Sequence, residues 1–337
     1  MKWGLIARSE TDRGIGIQTL AMYQNLCPDK TLVVIDKKSG FEPHPENYPD
    51  ATLVELKHGT HRNTLDQTTV RDWWKGLDVI IAVETLYDWD MIEWAKADKI
   101  KTVVHGNPEF WVATNPQPDQ WIWPTTWRLN HLPTGPVVPV PVPNRPIVAA
   151  DPHHPGLVKA LHTAGSATIG VRNGTDIAAL ASRRLSNSGV KFTVYSQGPT
   201  AAFHRALVKP PVKDRWEMYV DQHILILPRR YGGLCLPALE AMACGLAVAM
   251  PDCPPNRDWP TIRFNGETGR TIPMQTGPVP VFEVYANEVT NRILHYVHHR
   301  DNLAEVMQRS RDWAEENRWP NLAPLYYDTL ERVRSLR

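Results

Sequence analysis

Cysteine is scarce: four residues in 337, at Cys27, Cys235, Cys244 and Cys253. None forms a Cys-x-x-Cys pair, which excludes a zinc finger and a disulfide framework and leaves reduced, buried thiols of a cytoplasmic protein as the reading. No run of 18 or more apolar residues occurs, so no membrane span is expected. The apolar part of the opening MKWGLIARSE is too short for a signal peptide. Charge of one sign is also missing. Lys plus Arg is 37 and Asp plus Glu is 36, a formal net charge of +1, which excludes a nucleic-acid binder that is basic over its whole surface. Residues 1–150 carry a net −3 and the remainder +4. That asymmetry suits a C-terminal half that binds an anion, although solvated faces would give the same numbers.

Proline and tryptophan are plentiful, at 30 and 13 residues. With 42% hydrophobic and 22% charged residues the chain is globular, and its length predicts about two domains. Short apolar runs alternate with helical patterns in both halves. In the first, strands are expected over 2–7 (KWGLIA), 31–35 (TLVVI), 77–83 (LDVIIAV) and 101–104 (KTVV), with helices over Gly14–Leu26 and 89–97. In the second, strands are expected over 167–171 (ATIGV), 191–195, 223–227 (HILIL) and 247–250. Helices are expected over Thr175–Leu185, from Pro237 to 243, and over 289–311, followed by an amphipathic end with Trp313, Trp319, Tyr326 and Leu330. Eight prolines between Pro133 and Pro155 read as an interdomain connection, or else as a surface loop within one domain. This grammar predicts an α/β protein of two doubly wound domains with a ligand cleft between them.

The most informative stretch is 223–259, HILILPRRYGGLCLPALEAMACGLAVAMPDCPPNRDW. It reads as strand, glycine turn, helix, strand. Gly232 and Gly233 let backbone N–H groups approach an anion where the helix dipole favours negative charge. Arg229 and Arg230 at the same place suit phosphate, and a diphosphate is the natural occupant. Glu240, about one turn into the helix, suits a ribose diol.

The run GGLCLPALEAMACGLAV resembles the donor-binding signature of GT-B nucleotide-sugar glycosyltransferases of the Glu-x7-Glu type. It is also similar to bacteriophage-encoded glycosyltransferases with an Arg-Arg-Tyr-Gly-Gly turn. The match covers about 25 residues and the rest of the chain agrees only in grammar. The resemblance implies a GT-B fold with an N-terminal acceptor-side domain (1–145), a C-terminal nucleotide-sugar-binding domain (146–312) and a C-terminal helix (313–337) packing back on the first. It implies that Glu240 binds the ribose, and that Tyr231, Gly232, Gly233 and Leu234 with nearby basic side chains hold the diphosphate or sugar. Three positions depart from the pattern: Gly232 replaces its first Glu, Cys235 a Gly and Ala247 a Pro.

Three further places fit. Arg172 and Asn173, in VRNGTD, lie where the family supplies a basic residue to the phosphates; a surface Arg in a loop is the alternative. Gly14 and Gly16, in SETDRGIGIQTL, lack the third glycine of a dinucleotide fingerprint, so NAD is not expected. In the resembled fold this loop lies near donor phosphates and acceptor, with Asp12 and Arg13 as candidate contacts and Asp12 among the catalytic candidates; a plain glycine turn is the alternative. His105, at the end of KTVVH, and Glu109 are candidate bases for an acceptor hydroxyl, with Glu84 a weaker one, although a retaining enzyme needs no protein base.

Asp88-Trp-Asp90 imitates a metal-binding Asp-x-Asp but stands before a helix, where Asp favours the N-terminus. His295, His298 and His299 read as a solvated face. Trp111, Trp121, Trp123 and Trp127, with Arg128 beside them, either stack on a sugar or an extruded base or fill a satellite core.

The expected function is a cytoplasmic, metal-independent hexosyltransferase using a UDP-sugar such as UDP-glucose, with no cofactor beyond the donor. Its acceptor would be a hydroxyl, on a hydroxymethylated pyrimidine of phage DNA or on a virion protein. The alternatives are a catalytically degenerate GT-B protein that binds a sugar nucleotide or glycan, and a nucleotide-sugar epimerase.

Overall fold

The computed structural model describes all residues except Arg13, His61, 166–171, 198–202, His204, Arg205, Pro211, Lys213 and Arg337. The chain divides into two units, Met1–Pro141 with Trp319–Arg337, and Val142–Arg318. The change of unit falls inside the proline-rich stretch.

In the first unit, β1 (Trp3–Arg8), β2 (Lys30–Ile35) and β3 (Thr52–Glu55) are followed by a short hairpin of β4 (Lys57–His58) and β5 (Asn63–Thr64). Then come β6 (Val79–Glu84), β7 (Lys101–Gly106) and β8 (Gln120–Ile122). The main sheet has the order β3-β2-β1-β6-β7-β8 and is parallel throughout. β1 and β6 are apolar without interruption because both faces are covered. Ile6, Leu32, Ile80, Ala82 and Val104 pack under helices Gln67–Trp73 and Met91–Ala97. Leu5, Val33, Ile81 and Val103 pack on the other face, with Met22 and Leu26 of helix Gly14–Leu26 and with Trp319, Tyr326, Leu330 and Val333 of the C-terminal helix Trp319–Arg334. That helix docks by the amphipathic face expected of it, and the Tyr327 hydroxyl donates to Leu26 O at 2.6 Å.

The second unit repeats the plan. β9 (Val158–Gly165), β10 (Val190–Ser196), β11 (Leu207–Lys209), β12 (Ile224–Ile226), β13 (Ala247–Pro251) and β14 (Ile262–Phe264) form a parallel sheet ordered β11-β10-β9-β12-β13-β14. An antiparallel ribbon, β15 (Glu267–Met274) with β16 (Gly277–Glu283), follows. Chain direction across each sheet reverses its order once, between β1 and β6 and between β9 and β12. Ligands of such sheets bind beyond the carboxyl ends at that switch point.

Several expectations need correction. The strand expected over 167–171 lies outside the described residues, and the first strand of this unit is β9, VKALHTAG. His162 and Thr163 break its apolar run in the sequence, yet His162 is buried and satisfied, with Nδ1 2.8 Å from Ile226 O and Nε2 3.0 Å from Thr175 Oγ1. The helix expected over 289–311 is two helices, Ala286–His298 and Arg300–Glu316, because His299 leaves helical geometry at φ −120°, ψ 78°. Cys27 is exposed, in a left-handed conformation after the first helix, whereas the other three cysteines are buried.

Candidate functional site

The second unit's switch point gathers the residues of the glycine turn. β12 runs out through Leu227 and Pro228 into Arg229, Arg230, Tyr231, Gly232 and Gly233, and helix Leu236–Ala243 begins with Pro237 in its first turn. The turn Arg172-Asn173-Gly174 crosses over this exit. Gly174 has φ +69°, and a Cβ there would lie 2.1 Å from Pro228 O, so only glycine fits. Arg230 N donates to Arg172 O at 2.8 Å, and the Arg172 guanidinium lies 5.8 Å from the Tyr231 ring centroid. Asn173 Nδ2 points to Thr163 O and Ala164 O at 3.4 and 3.3 Å, tying the turn to the end of β9. The structure therefore brings Arg172, Asn173, Arg230 and Tyr231 together. Arg229 is buried directly ahead of Arg230.

Arg230 has a different employment from the expected one. Its Nη1 and Nη2 meet Asp176 Oδ1 and Oδ2 at 3.0 and 2.7 Å, and its Nε meets Glu283 Oε2 at 3.0 Å. Burial opposes its charge, but the bonds to the two carboxylates outweigh that and raise its pKa. The residue clips the glycine turn to the start of helix Thr175–Leu185 and to the ribbon, where Phe282 N also donates to Arg230 O at 2.9 Å.

Glu240 is buried in the middle of its helix. Oε1 accepts from Arg215 Nε at 2.7 Å and Oε2 from the Tyr219 hydroxyl at 2.8 Å. Burial pushes its carboxyl up, against the pull of Arg215, Tyr219 and Arg145. Arg145 and Arg215 both stack on Trp216, at 4.4 and 4.9 Å. Sequence reasoning missed this group. The run Arg215-Trp216-Glu217-Met218-Tyr219 carries no motif, and only its distance from Glu240 in space gives it meaning.

Gly232 departs from the resembled pattern for a backbone reason. It adopts φ +118°, a region closed to a glutamate. Cys244 and Cys253 are buried nearby, and burial pushes both thiols up to about 12, which disfavours the thiolate.

The first unit's switch point is acidic. Glu10, almost fully buried, accepts from Arg8 Nε at 2.7 Å and from the Ser9 hydroxyl at 3.0 Å. Asp36, past the end of β2, takes Arg8 Nη2 at 2.9 Å and His58 Nε2 at 2.6 Å. Glu84 sits at the end of β6 with φ +61°, 3.4 Å from Gln18 Nε2, and Tyr87 has φ +65°. Such conformations cost energy in residues of this type and collect at functional sites. Only Glu84 of this group was legible beforehand.

The first loop packs against this group. Gly14 opens the helix and Gly16 packs on the Glu10 backbone, where a Cβ would lie 2.0 Å from Glu10 O. Asp12 is exposed in the same turn, and Arg13 lies outside the described residues. His105, expected as a base, does not face solvent. Its ring is buried in the core, edge-on to Tyr326 with centroids 5.6 Å apart, and burial lowers its pKa to about 4. Glu109 is buried in the turn after β7, its N–H donating to Asn107 Oδ1 at 3.3 Å.

Asp88 and Asp90 have structural partners: Asp88 accepts from Leu65 N and Asp90 N, and Asp90 pairs with Arg62. Among the described residues no group of three or more His, Cys, Asp or Glu side chains could hold a metal ion. No helix of the described residues is long and apolar enough to cross a membrane. Trp121 and Trp123 stack at 4.9 Å and are buried, as is Trp127, so three of the four loop tryptophans serve the core; Trp111 is half-buried.

No family model and no curated protein matches the sequence. Solved structures do. A glycosyltransferase from Rickettsia africae shares 10% identity over 100% of this chain and 99% of its own, with a TM-score of 0.70. Anabaena HepE in complex with UDP shares 11% over 98% and 100%, with a TM-score of 0.71, and HepE has also been solved with UDP-glucose. Sucrose-phosphate synthase from Thermosynechococcus elongatus shares 14% over 99% of each chain, with a TM-score of 0.63. The chain has the GT-B fold of these proteins: two parallel-sheet α/β units with a C-terminal helix that belongs to the first.

Proposed function

We propose that the chain is a glycosyltransferase that moves a hexose from a UDP-sugar to a hydroxyl. The observation that carries the reading is Glu240: a buried carboxylate one turn into the helix that follows the glycine turn, held by Arg215 and Tyr219 with lone pairs left for a ribose diol. The bound nucleotides of HepE support the same choice of donor.

In this reading the backbone of Gly232, Gly233 and Leu234 meets the diphosphate at the helix N-terminus. Arg172 and Arg229 stabilise the charge that develops as the diphosphate departs, while Arg230 positions the turn. Rate enhancement comes from orientation and from this fixed positive charge, without a metal or further cofactor. The departing phosphate takes the acceptor proton, which removes the need for His105.

The acceptor half is acidic at its carboxyl end, where Glu10 and Asp36 share one arginine, Arg8, and Glu84 lies against Gln18. Duplex DNA needs a basic track, so of the two expected acceptors a protein hydroxyl fits this unit better than a modified base in phage DNA. Incubation with UDP-glucose tests the donor reading. UDP release in the wild type, abolished in Glu240→Ala, supports it; no release and no UDP binding would overturn it.

A further inference from the structure

β9 and β12 pair at Ala160 with Ile224 and at Leu161 with Leu225, and the pairing ends there, at the switch point of the second unit. At the next residue the His162 side chain spans the divide. Its Nδ1 lies 2.8 Å from Ile226 O and its Nε2 3.0 Å from Thr175 Oγ1. A carbonyl only accepts, so Nδ1 carries the proton and Nε2 accepts from the Thr175 hydroxyl. Burial lowers the ring's pKa to about 4, which keeps this neutral form near pH 7. Phe203 packs on the ring, with centroids 6.1 Å apart. One imidazole thus joins the strand that leads into the glycine turn to the helix that follows Arg172-Asn173-Gly174.

That helix start lacks a cap of its own. Its N-cap is Gly174, which has no side chain to accept from the first N–H groups. Two neighbouring side chains hold it instead. Thr175 and His162 are both buried, so their bond lies in the core. Asp176 is exposed and pairs with Arg230 of the glycine turn. The core bond is the more constrained of the two, since a β-branched threonine and a ring bonded at both nitrogens have little freedom. Arg172 stands three residues before Thr175, so where its guanidinium lies depends on where this helix begins.

We propose that His162 is a positioning residue of the nucleotide site: through Thr175 it fixes the turn that presents Arg172 to the diphosphate. The proposal rests on the donor reading above. His162 itself touches no nucleotide, being fully buried. It sets the spacing between the two turns that meet the diphosphate, because it bonds the exit of β12 on one side and the helix after Arg172 on the other. The ribose end of the nucleotide is held by Glu240, on another helix, and does not depend on this bond. Loss of the Thr175 hydroxyl is therefore felt by the phosphates and not by the nucleoside.

The test titrates UDP by calorimetry and uridine by saturation-transfer NMR into the wild type, Thr175→Val, Thr175→Ser and Arg172→Ala, and into Arg172→Ala combined with Thr175→Val. Thr175→Val keeps the shape of the side chain and removes the hydroxyl. It is expected to weaken UDP by roughly 3- to 10-fold, the equivalent of one hydrogen bond, and to leave uridine unchanged. Thr175→Ser restores UDP affinity. In the Arg172→Ala background Thr175→Val has no further effect on UDP, since the residue through which it acts is gone. His162→Asn keeps a donor for Ile226 O without reaching Thr175, behaves as Thr175→Val, and serves if that variant does not fold. UDP affinity equal in the wild type and Thr175→Val would overturn the proposal and leave the donor reading standing. So would equal losses of UDP and uridine, or an undiminished effect without Arg172, since either makes the bond a general support of the fold. No UDP binding by the wild type would overturn the donor reading and this proposal with it.

Discussion

Arg230 grips Asp176 through both terminal nitrogens, at 3.0 and 2.7 Å, and reaches Glu283 through Nε at 3.0 Å. An arginine that looks from its sequence position like a phosphate ligand is thus already bracketed by two carboxylates. Its charge is largely neutralised, and what it fixes is the relation between the glycine turn, the first helix of its unit and the ribbon.

Arg230→Ala is therefore expected to lower stability by about 1.5–3 kcal/mol with no nucleotide present, the range for hydrogen bonds to charged groups. Asp176 is well exposed, so the loss falls short of that for a fully buried pair. Arg230→Lys recovers little, since lysine has no bidentate fork. Urea unfolding of the free protein measures this. Unchanged stability combined with complete loss of nucleotide binding would instead make Arg230 a direct phosphate ligand.

Gly232→Glu restores the residue type of the resembled signature but not its function. The position has φ +118°, and forcing a side chain into it costs roughly 1–3 kcal/mol. The variant should melt lower than the wild type and bind donor no better. A variant as stable as the wild type with faster transfer would mean that the turn relaxes to accept a glutamate.

Acid should weaken the fold through two buried histidines. Burial lowers His105 and His162 from 6.5 to about 4. Between those values the unfolded chain binds protons that the folded chain refuses, so stability is full above about pH 6.5 and falls as pH drops toward 4. Each contributes on the order of 3 kcal/mol across that window. Urea unfolding at pH 7 and pH 5 measures the slope, and His105→Phe should remove its share. A flat profile between these pH values would contradict the burial of both rings.

Where one physical cause acted alone, the sequence was readable. Uninterrupted apolar runs such as VIIAV announced strands covered on both faces. Glycines before Pro237 announced the turn after β12 and the helix Leu236–Ala243. Legibility failed where meaning comes from partners distant in the chain. β9 hides a core histidine satisfied by Ile226 and Thr175, so its run looked broken. Asp36 and His58 are 22 residues apart and meet only through the β3 and β4 connection. Arg215 and Tyr219 acquire a role only because helix Leu236–Ala243 delivers Glu240 to them. β3 and β8 are short and carry too few residues for a period to show.

The central claim rests on Glu240 as the nucleotide anchor. Calorimetric titration of UDP into the wild type and Glu240→Gln tests it most directly. The amide keeps the size of the side chain but loses the charge-assisted bond to the ribose, about 1.5–3 kcal/mol, or roughly a 10- to 100-fold rise in Kd. Measurable UDP binding in the wild type, weakened by that factor in a variant that still folds, is the predicted result. No binding by the wild type, or equal affinity in both proteins, would contradict it.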